Sequence, residues 1–232
     1  MRRNVATLVD TPSGKRRGRP SKSLTLEQAE AVLRAAKGSN LEAYVVLSLM
    51  TGARTEEIRA LRWADVDLDG EPDSNPPVLP HVDVWRSVRA HGDTKTEKSR
   101  RTLAVPQIAV DALRAHQRVR LETTRKSGRC SSRDDYVLTT RTGSQMDSAN
   151  VRRDFRAVLA KVDGLSPKDW TLRELRHSFV SLLSDSGVAI EEIARLAGHS
   201  SSRTTEVVYR KQLRPVLQTA AIVMDGIFSA EG

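Results

Sequence analysis

Hydrophobic side chains recur every three or four residues along most of this chain, which is the spacing of helices that bury one face. The first such stretch follows Leu24, where Thr25 and Gln28 have the spacing of a helix capping box. Similar spacing predicts further helices over residues 41–50, 54–62, 107–124, 147–161, 173–186, 190–197, 203–211 and 214–228. The chain is therefore predicted to be mainly helical.

The helical spacing is interrupted in the region 72–106. Prolines in its first part break any helix, and residues 81–88 and 101–106 read as two strands. A long polar connection, residues 89–99, joins them. We therefore expect an α+β fold that is mainly α with one small antiparallel β-sheet.

Composition and charge narrow the class of partner. The chain has 232 residues, of which 38% are hydrophobic and 29% charged, as in a folded globular protein. It carries 38 Lys and Arg against 29 Asp and Glu, and the net charge of +9 favours a polyanion such as nucleic acid as the partner.

The single cysteine, Cys130, excludes an internal disulfide and a cysteine-built zinc site. No apolar run reaches the roughly 18 residues that cross a bilayer, so we expect a cytoplasmic protein and no membrane contact.

Residues 1–23 have no apolar periodicity and are expected to form an extended basic linker ahead of a folded domain over residues 24–232. In one interpretation the linker follows the phosphate backbone of DNA. In the other, RGRP at residues 17–20 lies in the minor groove of A·T-rich DNA. Both interpretations place the same cations against DNA: Lys15, Arg16, Arg17 and Arg19.

One acidic segment resembles an ion-binding loop but lacks its last ligand. Asp65, Asp67 and Asp69 alternate before Gly70, yet the twelfth position is Pro76 where a calcium loop needs a bidentate glutamate. We interpret the segment as a turn that enters the sheet. The chain shows no glycine-rich nucleotide loop and no paired His/Glu motif on a helix, so no metal or other cofactor is expected. The scattered histidines are expected to be solvated: His81, His91 and His116.

Cleavage of a phosphodiester without a metal needs cations for the phosphate oxygens, a proton donor for the leaving oxygen, and a nucleophile. Three segments of the chain offer such groups. In the first, residues 51–63, Arg54 follows Gly52 at the start of a predicted helix. Glu57 lies three residues later on the same helical face, where it could brace the arginine.

The second segment, residues 171–187, has Arg173, Arg176 and His177 at the i, i+3 and i+4 positions of one predicted helix. Positive charges near a helix N-terminus are disfavoured by the helix dipole. The arrangement therefore indicates a bound anion, although a solvent-facing basic helix is the alternative.

The third segment, residues 194–212, has His199 after a predicted helix end, Arg203 in a serine-rich loop, and Tyr209 on the next predicted helix. A phenol has a reference pKa of about 10, so it attacks poorly unless cations favour its ionised form. A half-buried core tyrosine is the other interpretation of Tyr209.

Together the three segments resemble the tyrosine recombinase (phage integrase) family. The matching motifs are TGAR…E, LRELRHSF and LAGHSS…TT…Y, in the family's order and spacing, and the resemblance covers residues 24 to about 230. It implies the DNA breaking-rejoining catalytic-domain fold and two sequential strand exchanges by transesterification. It also implies that residues 1–23 correspond to the linker that follows a separate core-site-binding domain.

The resemblance further implies a role for each matching residue. Arg54 and Arg176 would bind the scissile phosphate. Lys95, in the connection between the strands, would be the general acid toward the leaving 5′ oxygen, with Lys98 as its rival. Tyr209 would be the nucleophile that forms a 3′-phosphotyrosyl bond.

The remaining positions include one departure from the family's pattern. His199 would hydrogen-bond the phosphate, and Glu57 would be a supporting acidic residue. The family usually has a histidine where this chain has Arg173, which keeps a positive charge but cannot act as a base near neutral pH. His177 lies one step around the helix from Arg176 and is expected to be structural. Arg203 is expected to contact DNA.

The implied function is site-specific recombination of double-stranded DNA at attachment sites, for integration or excision of a mobile element. The implied partners are a homotetramer on synapsed DNA and accessory DNA-bending or directionality factors. The amphipathic segment 213–232 either packs on its own domain or docks on a neighbouring protomer. Two alternative functions remain, a type IB topoisomerase that relaxes supercoils and a catalytically silent DNA-binding protein on the same fold.

Overall fold

The computed structural model describes residues 22–88, 100–140 and 142–198. Over these ranges the helices are α1 (Leu26–Ala36), α2 (Glu42–Thr51), α3 (Thr55–Ala60), α4 (Gln107–Lys126), α5 (Ser148–Leu159), α6 (Leu172–Asp185) and α7 (Ile190–Ala197). The strands are β1 (Val66–Asp67), β2 (His81–Val84) and β3 (Arg101–Ala104), and a 3₁₀ turn, Trp63–Asp65, leads into β1. The helices predicted over 203–211 and 214–228 lie outside the described residues.

Capping interactions fix the starts of two helices. At α1 the Thr25 hydroxyl accepts a hydrogen bond from the Gln28 N–H at 3.3 Å, and the Gln28 side chain accepts one from the Thr25 N–H at 3.1 Å. At α6 the Glu174 carboxylate accepts a hydrogen bond from the Thr171 N–H at 2.6 Å. These bonds satisfy backbone donors that a helix start otherwise leaves open.

The sheet has the strand order β1-β2-β3, and both pairs are antiparallel. Val82 in β2 lies opposite Val66 on one side and Leu103 on the other, and all three side chains are buried. The sequence predicted only two strands, because β1 is too short for an alternation to show. β2 and β3 also end earlier than the predicted residues 88 and 106.

The acidic segment after β1 is a closed turn. One carboxylate oxygen of Asp67 accepts hydrogen bonds from the backbone N–H of Gly70 at 2.8 Å and of Asp69 at 2.9 Å. These two hydrogen bonds lower the pKa of Asp67. The carboxylate is therefore used within the turn itself, which agrees with its interpretation as an entry to the sheet.

The helix α2 lies at the centre of the helical part and packs against α1, α3, α4 and α6. Nearly all of its side chains are buried, Tyr44 and Leu47 completely so, as expected of a helix that is hydrophobic on all sides. A smaller group of buried residues joins α6 to α7: Phe179, Val180, Ile193 and Ala197. This second group fixes the place where α7 ends.

His91 lies outside the described residues, and of the other two scattered histidines His116 is placed differently from its prediction. His116 on α4 is partly buried rather than solvated: its ring stacks on Trp63 with centroids 6.2 Å apart, and its Nε2 lies 2.8 Å from the Val137 carbonyl oxygen. Burial lowers the pKa of His116. The imidazole therefore packs α4 against the turn before β1, a long-range contact that helical spacing does not reveal.

The predicted fold class is confirmed. The described residues form a mostly helical domain with one small antiparallel sheet. None of the helices in these ranges combines the length and the apolar character needed to cross a bilayer.

Candidate active site

Arg54 lies in the tight turn between α2 and α3. Gly52, which ends α2, has φ +60°, and a Cβ there would lie 2.3 Å from Cδ1 of Phe179, so the turn needs glycine. Arg54 is extended and directly precedes α3. Its side chain is 41% exposed, which leaves the guanidinium accessible from solvent.

Glu57 is the buried acceptor beneath this turn. Its Oε1 accepts a hydrogen bond from Arg54 Nη1 and its Oε2 accepts one from the Arg54 backbone N–H, each at 2.7 Å. On its other side, Arg101 donates from Nη2 to Oε2 at 2.9 Å and from Nη1 to Oε1 at 3.3 Å. Burial alone would raise the pKa of Glu57, but the charges and hydrogen bonds of Arg101 and Arg54 outweigh it and hold the pKa below its ordinary value. Glu57 is therefore a carboxylate at neutral pH.

Arg176 on α6 joins two other segments. Its Nη1 donates to the carbonyl oxygen of Gly52 and its Nη2 donates to that of Ala197. The side chain therefore bridges the end of α2 and the end of α7. Through Gly52 it contacts the same turn that holds Arg54. Two arginines that are far apart in sequence meet at one place.

The end of α7 is the meeting point of three arginines. Its last carbonyl oxygens accept in order: Leu196 from Arg101 Nε at 3.0 Å, Ala197 from Arg176 Nη2, and Gly198 from Arg54 Nη2 at 2.8 Å. A helix C-terminus carries partial negative charge and unpaired carbonyl groups, so cations are stabilising there. The three guanidiniums are thus fixed around the residue that precedes His199.

Arg173 and His177 lie beside Arg176 on α6. Arg173 is exposed on the first turn, whereas His177 is buried. Burial first, then the positive charges of Arg173 and Arg176, lower the pKa of His177 to about 4. His177 is therefore neutral at neutral pH and packs within the domain.

Comparison with known proteins identifies the family. The model of the phage integrase family matches residues 22–214. The chain belongs to this family. An integrase of Streptomyces ambofaciens is 54% identical over 228 residues, which are 98% of this chain and 58% of that protein. A XerC-like tyrosine recombinase of Caldanaerobacter subterraneus is 24% identical over 213 residues, or 87% of this chain and 53% of that protein. The chain thus spans just over half of the length of these integrase-family relatives.

Solved structures show the same fold. The Tn1549 transposon integrase in complex with a circular intermediate DNA aligns with a TM-score of 0.68 at 19% identity, over 96% of this chain and 69% of that one. The XerA recombinase aligns with a TM-score of 0.63 at 23% identity, over 85% of this chain and 67% of that one. The catalytic-domain fold expected for the integrase family is therefore confirmed.

Val88 and Arg101, which flank the connection that carries Lys95 in the sequence, both contact α3 of the candidate site. Where the chain leaves the sheet, the Val88 N–H donates to the Glu56 carbonyl oxygen at 3.3 Å. Where it returns, Arg101 pairs with Glu57. Lys95 and Lys98 themselves lie outside the described residues; what the structure places beside α3 are Val88 and Arg101, the described residues on either side of them.

The structure brings Arg54, Glu57 and Arg176 together among the predicted site residues and places Arg173 and His177 on the adjoining turn of α6. The other predicted residues lie outside the described ranges: Lys15, Arg16, Arg17, Arg19, Lys95, Lys98, His199, Arg203 and Tyr209. Their roles in this member of the family stay predictions.

Arg101 belongs to the site and was missed in the sequence. β3 alternates, so Arg101 shares the inward face with the buried Leu103, while Thr102 and Ala104 are exposed. An arginine at an inward position of an alternating strand is a signal, because a buried cation needs an anionic partner. That partner, Glu57, is far away in sequence, so the pattern alone could not name it.

The site suits an anion. Arg54 uses part of its fork of donors on Glu57 and Gly198, and its exposed side leaves the remainder to an incoming group. Guanidinium groups match phosphate geometry. Among the described residues, no group of three or more His, Cys, Asp or Glu side chains is arranged to hold a metal ion.

Proposed function

We propose that this chain is the catalytic domain of a site-specific DNA recombinase that cleaves and rejoins double-stranded DNA. The observation that carries the proposal is the convergence of Arg54 and Arg176 on the end of α7, directly before His199. Two members of its structural group, the Tn1549 integrase and the lambda integrase, are bound to DNA in their solved complexes. A net charge of +9 suits the same partner.

The proposed reaction is a pair of transesterifications. The Tyr209 phenol gives its proton to water and its oxygen attacks the phosphorus, the bond from phosphorus to the 5′ oxygen breaks, and a 3′-phosphotyrosine forms. The leaving 5′ oxygen takes its proton from Lys95, or from Lys98 as the rival. A 5′ hydroxyl of the partner strand then attacks the phosphotyrosine and releases the phenol. Each step exchanges one phosphate ester for another, so no ATP is consumed.

The fixed cations stabilise the charge that develops on the phosphate. Arg54 and Arg176 bind the non-bridging oxygens, and His199 donates a hydrogen bond to the phosphate. Arg173 adds a permanent positive charge at the position where the family usually has histidine. His177 is neutral and buried, so its role is to pack α6.

The proposal extends to the domains, the assembly and the biological role, with the family resemblance as its support. Residues 1–23 form a basic linker and residues 24–232 the catalytic domain, with Lys15, Arg16, Arg17, Arg19 and Arg203 on DNA. The working assembly is a homotetramer on synapsed attachment sites in the cytoplasm, with segment 213–232 docked on a neighbouring protomer and with accessory factors that bend DNA or set direction. The biological outcome is integration or excision of a mobile element.

The test is covalent trapping. The chain is incubated with nicked suicide duplexes of randomised core sequence, adducts are separated on denaturing gels, and the modified residue is mapped by mass spectrometry. We expect an adduct on Tyr209 that Tyr209→Phe abolishes while DNA binding persists. Tyr136→Phe is the matched control, since the ring of Tyr136 packs against Arg62 and its hydroxyl accepts a hydrogen bond from the same residue, so loss of this hydroxyl should leave the adduct intact.

Three outcomes would contradict the proposal. A Tyr209→Phe variant that still forms an adduct would remove the nucleophile assignment. DNA binding by the wild-type chain without any adduct would indicate the catalytically silent protein. Relaxation of supercoils without recombinant products would indicate a topoisomerase.

A further inference from the structure

Arg101 is an arginine whose charge is almost fully enclosed. Its side chain is 10% exposed and it begins β3, immediately beyond the connection that carries Lys95. Loss of hydration strongly disfavours a guanidinium in such a place unless anionic and polar partners surround it. Those partners show what the residue does.

The first partner is the carboxylate that orients Arg54. Arg101 donates two parallel bonds to Glu57, at 2.9 and 3.3 Å, and the same two oxygens accept the side chain and the backbone N–H of Arg54, each at 2.7 Å. The carboxylate is thus shared between a buried arginine and an exposed one. Because Arg101 fixes the plane of Glu57, it also fixes the direction of Arg54.

The second partner is the end of α7. Arg101 Nε donates to the Leu196 carbonyl oxygen at 3.0 Å. A Cβ at Gly198 would lie 2.8 Å from Arg101 Nη1 and 3.1 Å from its Cζ, so the backbone packs directly on the guanidinium. Gly198, with φ +63°, also accepts a hydrogen bond from Arg54. Arg101 therefore sets the spacing between Arg54 and the chain that continues into His199.

We propose that Arg101 is a positioning residue of the recombinase site, which holds Arg54 through Glu57 and the α7 end through Leu196 in one rigid arrangement. The inference rests on the proposed function, and it assigns Arg101 no contact with the reacting atoms. Lysine is a poor substitute for this arginine. A guanidinium donates two parallel hydrogen bonds to a carboxylate and a third to a carbonyl oxygen, which a single ammonium group cannot do in the same geometry.

The closing experiment compares two arginine-to-lysine changes. Arg101→Lys alters the buried pair, and Arg114→Lys alters an exposed pair in which Arg114 donates to Asp69 at 2.6 Å. Single-turnover rates of Tyr209 adduct formation at saturating DNA, DNA dissociation constants and melting temperatures are measured for both. We expect Arg101→Lys to slow the saturated rate by about tenfold, the cost of one charge-assisted hydrogen bond, with the dissociation constant within about twofold of wild type. Arg114→Lys should match the wild-type rate.

The route through Glu57 gives a second readout. In a Glu57→Gln background, Arg101→Lys should slow adduct formation by less than about threefold, because residues that act through one network are not additive. A purely structural Arg101 would instead slow both backgrounds by the same factor, or change only the melting temperature.

A second variant keeps the test open if Arg101→Lys does not fold. Gly198→Ala presses a Cβ onto the Arg101 guanidinium, and its matched control is Gly164→Ala, where φ is +77° and nothing lies within 4 Å of the added Cβ. We expect only the first to slow the saturated rate. Wild-type rates in both Arg101→Lys and Gly198→Ala, or losses confined to DNA affinity, would overturn this inference alone. Failure of the wild-type chain to form any Tyr209 adduct would overturn the proposed function and this inference with it.

Discussion

Two turns of this molecule carry closely spaced charged side chains. The hydrogen-bond partners of these side chains lie at very different distances along the chain. In the turn after β1, the Asp67 carboxylate accepts backbone N–H groups two and three residues away. In the turn before α3, Arg54 donates to the carbonyl oxygen of Gly198, 144 residues away, and Glu57 accepts from Arg101, 44 residues away.

The difference separates a structural turn from a candidate site. The Asp67 carboxylate is stabilised by hydrogen bonds within its own turn, so the turn needs no ligand. The arginines around α7 come from distant segments and Arg54 keeps an exposed side. A group of charges held together by the whole fold, with donors still facing solvent, is suited to bind an anion.

The largest effect should come from Arg176. Replacing it by alanine removes the proposed donor to the phosphate and the donor to the Ala197 carbonyl oxygen, and we expect covalent adduct formation to slow by about 10²–10³-fold. Single-turnover trapping on the suicide duplex measures this rate. Asp67→Asn is the comparison variant, and it should react like wild type. Equal rates for the two variants would contradict the conclusion that the cluster around Arg54 is a reactive site and the turn of Asp67 is only structural.

The next effect is on stability. Glu57→Gln leaves the buried Arg101 without its carboxylate, so we expect the free energy of unfolding in urea to fall by about 3 kcal/mol. Asp67→Asn, which weakens local hydrogen bonds only, should cost about 1 kcal/mol. Similar losses for both would mean that the long-range pair is no more important to the fold than the local one.

A smaller effect is expected from the glycine that ends α2. Gly52→Ala combines a strained backbone at φ +60° with a clash against Phe179, and should lower the free energy of unfolding by about 2–3 kcal/mol. Gly164→Ala has the strain without the clash and should cost about 1 kcal/mol. Thermal or urea unfolding measures both. Equal costs would show that α6 does not pack closely on the turn of Arg54.

The smallest effect is a pH dependence. The pKa of Glu57 is lowered from 4.5 in the folded chain, so its contribution to stability is complete above about pH 4.5 and is lost as the pH falls toward the folded value. The difference in unfolding free energy between wild type and Glu57→Gln should therefore shrink on acidification below pH 4.5. A difference that stays constant down to pH 3 would contradict the lowered pKa.

The sequence was sufficient where interactions are local. Helical spacing and the Thr25–Gln28 capping box place α1, and the three-residue separation of Arg54 and Glu57 predicts their contact. Both depend on neighbours within one helical turn, which a pattern can show. The order of the motifs then supplied the family.

The sequence was insufficient where contacts join distant segments. The sequence pattern shows Arg101 only as a strand residue, and its ion pair with Glu57 appears only in the structure. No sequence pattern indicates that the carbonyl groups at the end of α7 accept hydrogen bonds from arginines. β1 has only two residues, which is too few for an alternation. His116 lies on a polar helix, and only the fold brings Trp63 against it.

A crystal structure of the chain with orthovanadate trapped between cleaved DNA ends would test most directly whether Arg54 and Arg176 bind one phosphate beside Tyr209. We expect one vanadate that is bonded to the Tyr209 oxygen and hydrogen-bonded by Arg54 and Arg176, with donor–oxygen distances of about 3 Å. A vanadate held at Tyr209 with either guanidinium pointing elsewhere would contradict it.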